Sequence, residues 1–262
     1  MWLEALRHTL TDSRRALLWW ALGLALYAAV ILAFYPTVRA DPGINEMLQT
    51  LPESLRTLFG GDLTSPAGYL TSQLFSLLPL ILSVYAALTG AGLIAGAEAR
   101  GLLEFPLAQP LSRASLLLSR ALALLLGLLV IGLALFLSLW LIGPAFELTV
   151  APERLLAATA LHVLSAWVFG ALALALGAAT GKPGLAAAVG GGLGTLLLAL
   201  HTLSAQVPVL RDLGGLNPWT YALGGSPLSE PVGWGPALTF LLVGVGLVLA
   251  ALPVFRRRDV AY

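Results

Sequence analysis

Residues 121–146 read ALALLLGLLVIGLALFLSLWLIGPAF. Arg120 stands before this run and Glu147 after it, with no charged side chain between them. About 20 apolar residues in a helix cross the roughly 30 Å hydrocarbon core of a bilayer, so this run is long enough to span. Its apolar character is continuous rather than alternating. It must therefore satisfy its backbone as a helix, not as a strand of a barrel.

Five more charge-free runs stand beside it: Ala16–Val38, Leu63–Ala97, Leu155–Gly181, Pro183–Leu210 and Pro231–Phe255. The sequence thus predicts an all-α polytopic membrane protein with six transmembrane helices. Leu63–Ala97 is too long for one simple span. Pro66 and Gly68 place its first part in a loop, with the helix running from about Tyr69 to Ala97, and Pro79 is expected to kink it.

Composition agrees. The chain has 262 residues, of which 58% are hydrophobic and 10% charged, with mean hydropathy +0.90. Soluble domains carry about 25% charged residues, so lipid must solvate part of this surface. The formal net charge of +1 supplies no basic field for nucleic acid. With no cysteine, thiol nucleophiles, disulfides and thiolate metal sites are excluded. Met1–Arg15 does not read as a cleaved signal peptide.

Lysine and arginine set the expected orientation. With both termini in the cytoplasm, the inner side holds Arg7, Arg14, Arg15, Arg100, Arg113, Arg120, Lys182 and Arg256–Arg258. The outer side holds Arg39, Arg56, Arg154 and Arg211, so the 14 basic residues divide ten to four. This is the sense of the positive-inside rule. Trp19, Trp20, Tyr35 and Trp140 lie where an aromatic belt is expected, and Trp219, Tyr221 and Trp234 belong to the last outer loop.

The connections carry further expectations. Trp2, Leu3, Leu6 and Leu10 recur at helical spacing opposite Glu4, Arg7, His8 and Asp12. Residues 1–15 therefore read as an amphipathic interfacial helix along the cytoplasmic leaflet before the chain turns into the membrane. Residues 36–68 form a long outer loop with short helices and a Gly60-Gly61-Asp62 turn. The cytoplasmic connection between spans two and three reads AEARGLLEFPLAQPLSR over residues 97–113. Pro106 and Pro110 break helix there, and Ser112 can cap the next one. Leu103, Phe105, Leu107 and Leu111 bring apolar side chains to a loop that faces water. That pattern reads either as a docking surface or as a tight connector packed on its own helices.

At this loop the chain resembles the permease subunits of ABC-2 type transporters. Glu98, Gly101, Leu103, Glu104, Leu107, Pro110, Leu111, Ser112 and Arg113 stand where that pattern needs them, and Arg120 fits the basic residue that begins the third span. Phe255–Val260 is similar to the family's closing motif, and Leu216-Asn217-Pro218-Trp219 to its final outer segment. Leu102 stands where Thr is common, and Ala99 replaces a second acid.

The resemblance implies a single transmembrane permease domain over 1–262 in the cell inner membrane, working as a dimer of copies or related chains. It also implies two cytoplasmic ATPase subunits that carry ATP and Mg, with no cofactor on this chain, and transport most often as export. Residues 98–114 would be the coupling helix in a cleft of the ATPase, with Glu98, Arg100, Gly101, Leu103, Glu104, Leu107, Pro110, Ser112 and Arg113 in the coupling role.

Other chemistry is not legible. Gly177–Pro183 looks like a phosphate loop, but its glycine spacing is one residue short and Pro183 replaces the required Ser or Thr. Neither H-E-x-x-H nor G-x-S-x-G occurs, so the chain does not read as an enzyme. No carboxylate lies in a span core, which argues against an ion-coupled carrier. His162 and His201 are intramembrane polar residues. They read as a possible substrate path or as simple helix contacts, and two imidazoles alone make a poor metal site. Gly92–Gly96 and Gly190–Gly194 read as close-packing faces, the latter serving either a dimer or intrachain contacts. The alternative to a permease is an ATP-independent channel-like or scaffold protein.

Overall fold

A computed structural model describes residues 2–41, 43, 50, 63–103, 112–204, 207–212, 214–224, 228–229 and 233–258. The expected Gly60-Gly61-Asp62 turn and most of the first outer loop lie outside the described residues.

Helix α1 spans Trp2–Ala40, 39 residues. At 1.5 Å per residue this is about 58 Å, nearly twice the hydrocarbon thickness. The expected separate helix over residues 1–15 is not found, because that segment runs straight into the span. Residues 2–35 contain no proline and only one glycine, Gly23. Thr9 and Thr11 donate their hydroxyls to the Ala5 and Arg7 carbonyls at 2.8 and 2.7 Å, so the polar side chains are satisfied inside the helix.

The second span is segmented. It comprises α2 (Pro66–Leu70), a π-turn (Thr71–Phe75), α3 (Leu78–Ala91) and a second π-turn (Gly92–Gly96). Pro66 and Gly68 are helical, contrary to the loop expected there. Ser65 Oγ accepts from Gly68 N at 3.2 Å, and Pro66 occupies the first helical turn, where its missing N–H costs nothing. Pro79 likewise stands in the first turn of α3. It restarts a helix after the turn at Ser76-Leu77 and does not interrupt a continuous one.

The remaining elements are α4 (Arg113–Ile142) with a 3₁₀ turn (Gly143–Phe146), α5 (Pro152–Thr180) and α6 (Pro183–Ser204). They are followed by α7 (Pro208–Asp212), a 3₁₀ turn (Gly214–Leu216), α8 (Pro218–Leu223) and α9 (Gly235–Arg257). The third helix begins at Arg113, behind the Ser112 cap expected there, and so starts about two turns before the charge-free run from Ala121. The fifth ends at Ser204, short of the expected Leu210. In all, 6 helical segments are long and apolar enough to cross a membrane, and no strand occurs among the described residues. The chain is a multi-pass membrane protein.

Helix α5 is the hub. It packs against α3, α4, α6 and α9, while α1 lies along α4. The backbones of α3 and α5 approach closely at Gly90 and Gly170. A Cβ at Gly90 would fall well inside the van der Waals envelope of the Gly170 carbonyl, and one at Gly170 would meet the Ala86 carbonyl at 3.0 Å. Gly190 and Gly194 of α6 are equally intrachain: a Cβ there would lie 2.8 Å from Ala173 Cβ and 3.1 Å from Ser83 Cβ, respectively. Gly92 and Gly96 do not form the expected packing face. A Cβ at Gly92 meets nothing within 4 Å, and one at Gly96 only the Ala91 carbonyl at 3.7 Å. Leu18, Trp19, Leu22, Leu26 and Phe34 leave an exposed apolar face on α1, suited to lipid.

Successive spans alternate in direction. Arg39 at the end of α1 pairs with Glu147 after α4 at 2.9 Å. The opposite end of the bundle collects Glu98, Arg113, Gly181 and Arg258.

Candidate functional site

The site at that second end is built by helix termini. After its last π-turn the second span closes on Gly101, whose φ of 68° lies in the left-handed region. Gly101 N donates to Glu98 O at 2.9 Å and Leu102 N to Ala97 O at 2.9 Å. This paired 5→2 and 6→1 arrangement ends helices on a glycine, because a Cβ would be strained at that φ. Leu102 is exposed, whereas Leu103 is buried in the main apolar core and anchors the chain as it leaves. The far side of the connection is as firmly set. Ser112 has extended backbone, and its Oγ accepts from Ser115 N at 3.1 Å, the N-cap of α4. Residues 104–111, and with them Glu104, Leu107 and Pro110, lie outside the described residues.

Two expected residues meet at a third that sequence reasoning did not assign. Glu98 forms an ion pair with Arg258, the residue after α9, and their side chains are only 7% and 16% exposed. Arg113 Nη1 donates to the Phe255 carbonyl at 3.3 Å and to the Arg258 carbonyl. A cation in the first turn of α4 opposes the dipole of its own helix, but at the C-terminal carbonyls of α9 the same charge is favourable. Gly181 completes the arrangement. It ends α5 with φ 69°, and a Cβ there would collide with the Arg258 guanidinium and lie 3.2 Å from Glu98 Oε1. Four separate parts of the chain therefore converge on one buried ion pair.

The other candidates lie apart from it. Arg100 is exposed and folds back on its own helix, Nε donating to Gly96 O at 2.9 Å. Arg120 is partly buried two turns into α4, and its Nε has no hydrogen-bond partner among the described residues. His162 is fully buried in α5, its Nδ1–H directed to the Ala158 carbonyl at 2.8 Å and its ring 5.0 Å from that of Phe75. His201 is partly buried near the end of α6, with Nδ1 3.4 Å from Thr220 Oγ1. It borders a cavity of about 190 Å³ lined also by Leu197, Leu200, Ser204 and Asn217. The two imidazoles thus have different surroundings. No cluster of three or more His, Cys, Asp or Glu able to hold a metal occurs among the described residues.

The resembling outer segment is also built in. Asn217 Oδ1 accepts from Trp219 N at 3.0 Å, and its Nδ2 donates to Leu197 O at 2.7 Å. Trp219 is fully buried, Nε1 donating to Gly194 O at 2.9 Å.

A family model described as "ABC-2 family transporter protein" matches residues 4–260, nearly the whole chain. No curated protein matches the sequence.

Proposed function

Because the chain belongs to the ABC-2 family of transporter proteins, we propose that it is the membrane-spanning permease subunit of an ATP-driven exporter. Two copies, or this chain and a related one, form the pathway in the cell inner membrane, with both termini in the cytoplasm. Hydrolysis of ATP, with its Mg, takes place on separate ATPase subunits. Residues 98–114 form the contact that couples them to the spans. His162 and His201, on this reading, stand near the path of the substrate.

One observation carries this reading. The connection between spans two and three is clamped at both ends, by the Gly101 turn with buried Leu103 and by the Ser112 cap. A segment held this way moves with its helices, which a transmitter of force requires. The distribution of arginine and lysine supports a cytoplasmic location for this end. The absence of carboxylates from the span cores agrees with energy supplied by another chain.

Leu107→Asp and Glu104→Lys test the contact. Each is expected to reduce the ATPase recovered with the tagged permease by about tenfold, the equivalent of roughly 1.4 kcal/mol in the interface. The thermal melt of the purified permease should stay unchanged. Full recovery of the ATPase with both variants would contradict a docking role for 98–114.

A further inference from the structure

We infer that Arg258 is a positioning residue for coupling: through its buried pair with Glu98 it ties α9 to the segment that leaves the second span. The inference rests on the reading of 98–114 as the ATPase contact, and adds a residue and a helix outside that loop.

Several features point the same way. The backbone of Arg258 leaves the helix, with ψ 133°, yet its side chain turns back beneath the bundle to reach Glu98. The pair is largely enclosed, and Gly181 provides the room for it by having no side chain. Arg113 grips the same turn from the other side of the connection, through the Phe255 and Arg258 carbonyls. The loop is therefore fastened to α9 at both its entrance and its exit. Along its length, by contrast, α9 packs on α5 and more lightly on α4, and much of its apolar surface is exposed.

The energetics favour a geometric role over a stabilising one. Well-packed apolar residues often replace a buried ion pair without loss of stability, whereas removing one partner strands a buried charge. What such a pair supplies is a defined relative position of the groups it joins. Here those are the start of the coupling segment and the last described transmembrane helix. A displacement of the segment at Glu98 is passed to α9 through Arg258, so α9 moves with the ATPase cycle.

The test uses the full chain with its ATPase and exploits the absence of cysteine. Leu238, exposed near the start of α9 at the opposite end of the bundle, is changed to cysteine as a reporter. Its maleimide labelling rate is measured with and without ATP and Mg in membranes. In the otherwise unchanged chain, nucleotide should shift the rate roughly fivefold or more, the low end of ordinary allosteric coupling. In Arg258→Ala the ATPase should still be recovered in equal amount while the shift disappears. Arg258→Lys, and the exchange Glu98→Arg with Arg258→Glu, should restore most of it. If Arg258→Ala folds poorly, the exchange alone decides: its single changes lose the shift and their combination regains it. A shift that persists in Arg258→Ala, or single changes no worse than their combination, would overturn the tie. Failure of the unchanged chain to recover any ATPase would instead overturn the coupling reading on which it rests.

Discussion

Alanine at Gly90 is expected to cost about 3 kcal/mol, the upper end of ordinary overpacking. The reason lies in what the added methyl meets. It would be driven into the Gly170 carbonyl and would also lie 3.2 Å from the Leu174 amide nitrogen. These are backbone atoms of α5, so no side-chain rotation can relieve the contact, and α3 must separate from α5. Helix association in lipid depends on van der Waals packing and interhelical hydrogen bonds, without a hydrophobic drive between helices. Separating the two at this close approach therefore removes much of what holds them. Gly92→Ala, two residues on, is the control. Its methyl meets nothing within 4 Å, and the loss of a helical glycine should be neutral or slightly stabilising. Denaturation of the purified protein with sodium dodecyl sulfate compares the two. Equal midpoints would show that the close approach at Gly90 is not a determinant of the fold.

Alanine at Trp219 should release the outer segment, with a loss of about 3–5 kcal/mol typical of removing a buried tryptophan. The side chain is fully buried and lies against Phe169, ring centroids 5.2 Å apart. Its indole N–H reaches the Gly194 carbonyl where α6 is thinned to a glycine. Asn217 holds the preceding turn to the Leu197 carbonyl at 2.7 Å. Losing the ring removes the largest side chain by which α8 is sunk among α5 and α6, leaving Ala222 and the partly buried Leu223. Trp219→Phe keeps most of the apolar body but loses the donor, and should cost about 1 kcal/mol. Limited proteolysis of the 205–230 region should be strongly accelerated by Trp219→Ala and little changed by Trp219→Phe. Identical digestion of all three proteins would contradict this anchoring.

The six spans were legible because apolar length alone decides them, and each of the six runs contains a transmembrane helix. Their boundaries were less so. The charge-free run alone begins at Ala121, but the Ser112 cap, legible in the sequence, sets the start of the third helix and carries it through Arg113 and Arg120. Residues 1–15 were read correctly as helical, but nothing in their amphipathic spacing tells whether a helix turns before the next. Here no residue breaks it.

Small residues misled in one place and not in the other. Gly92 and Gly96 have the spacing of a packing motif but meet no neighbouring helix within the described residues, while Gly90, two residues before Gly92, is the most tightly packed glycine of the second span. The spacing gives a stripe on a helix and not the direction of its neighbour. At the site, Glu98, Gly101, Leu103, Ser112 and Arg113 were all visible as a local pattern. Arg258 and Gly181 were not assigned to it. They stand far from Glu98 in sequence, no periodicity joins them, and only the resemblance over Phe255–Val260 and the Gly-Lys turn at 181–182 marked their neighbourhoods.

Dependence on a separate ATPase is tested most directly by purifying the tagged chain from its native membranes in mild detergent and identifying what accompanies it. A soluble protein with an ATP-binding signature, recovered in stoichiometric amount, is the expected result. Recovery of the chain alone, even after cross-linking in the membrane, would contradict the permease reading and favour a channel-like or scaffold protein that works without ATP.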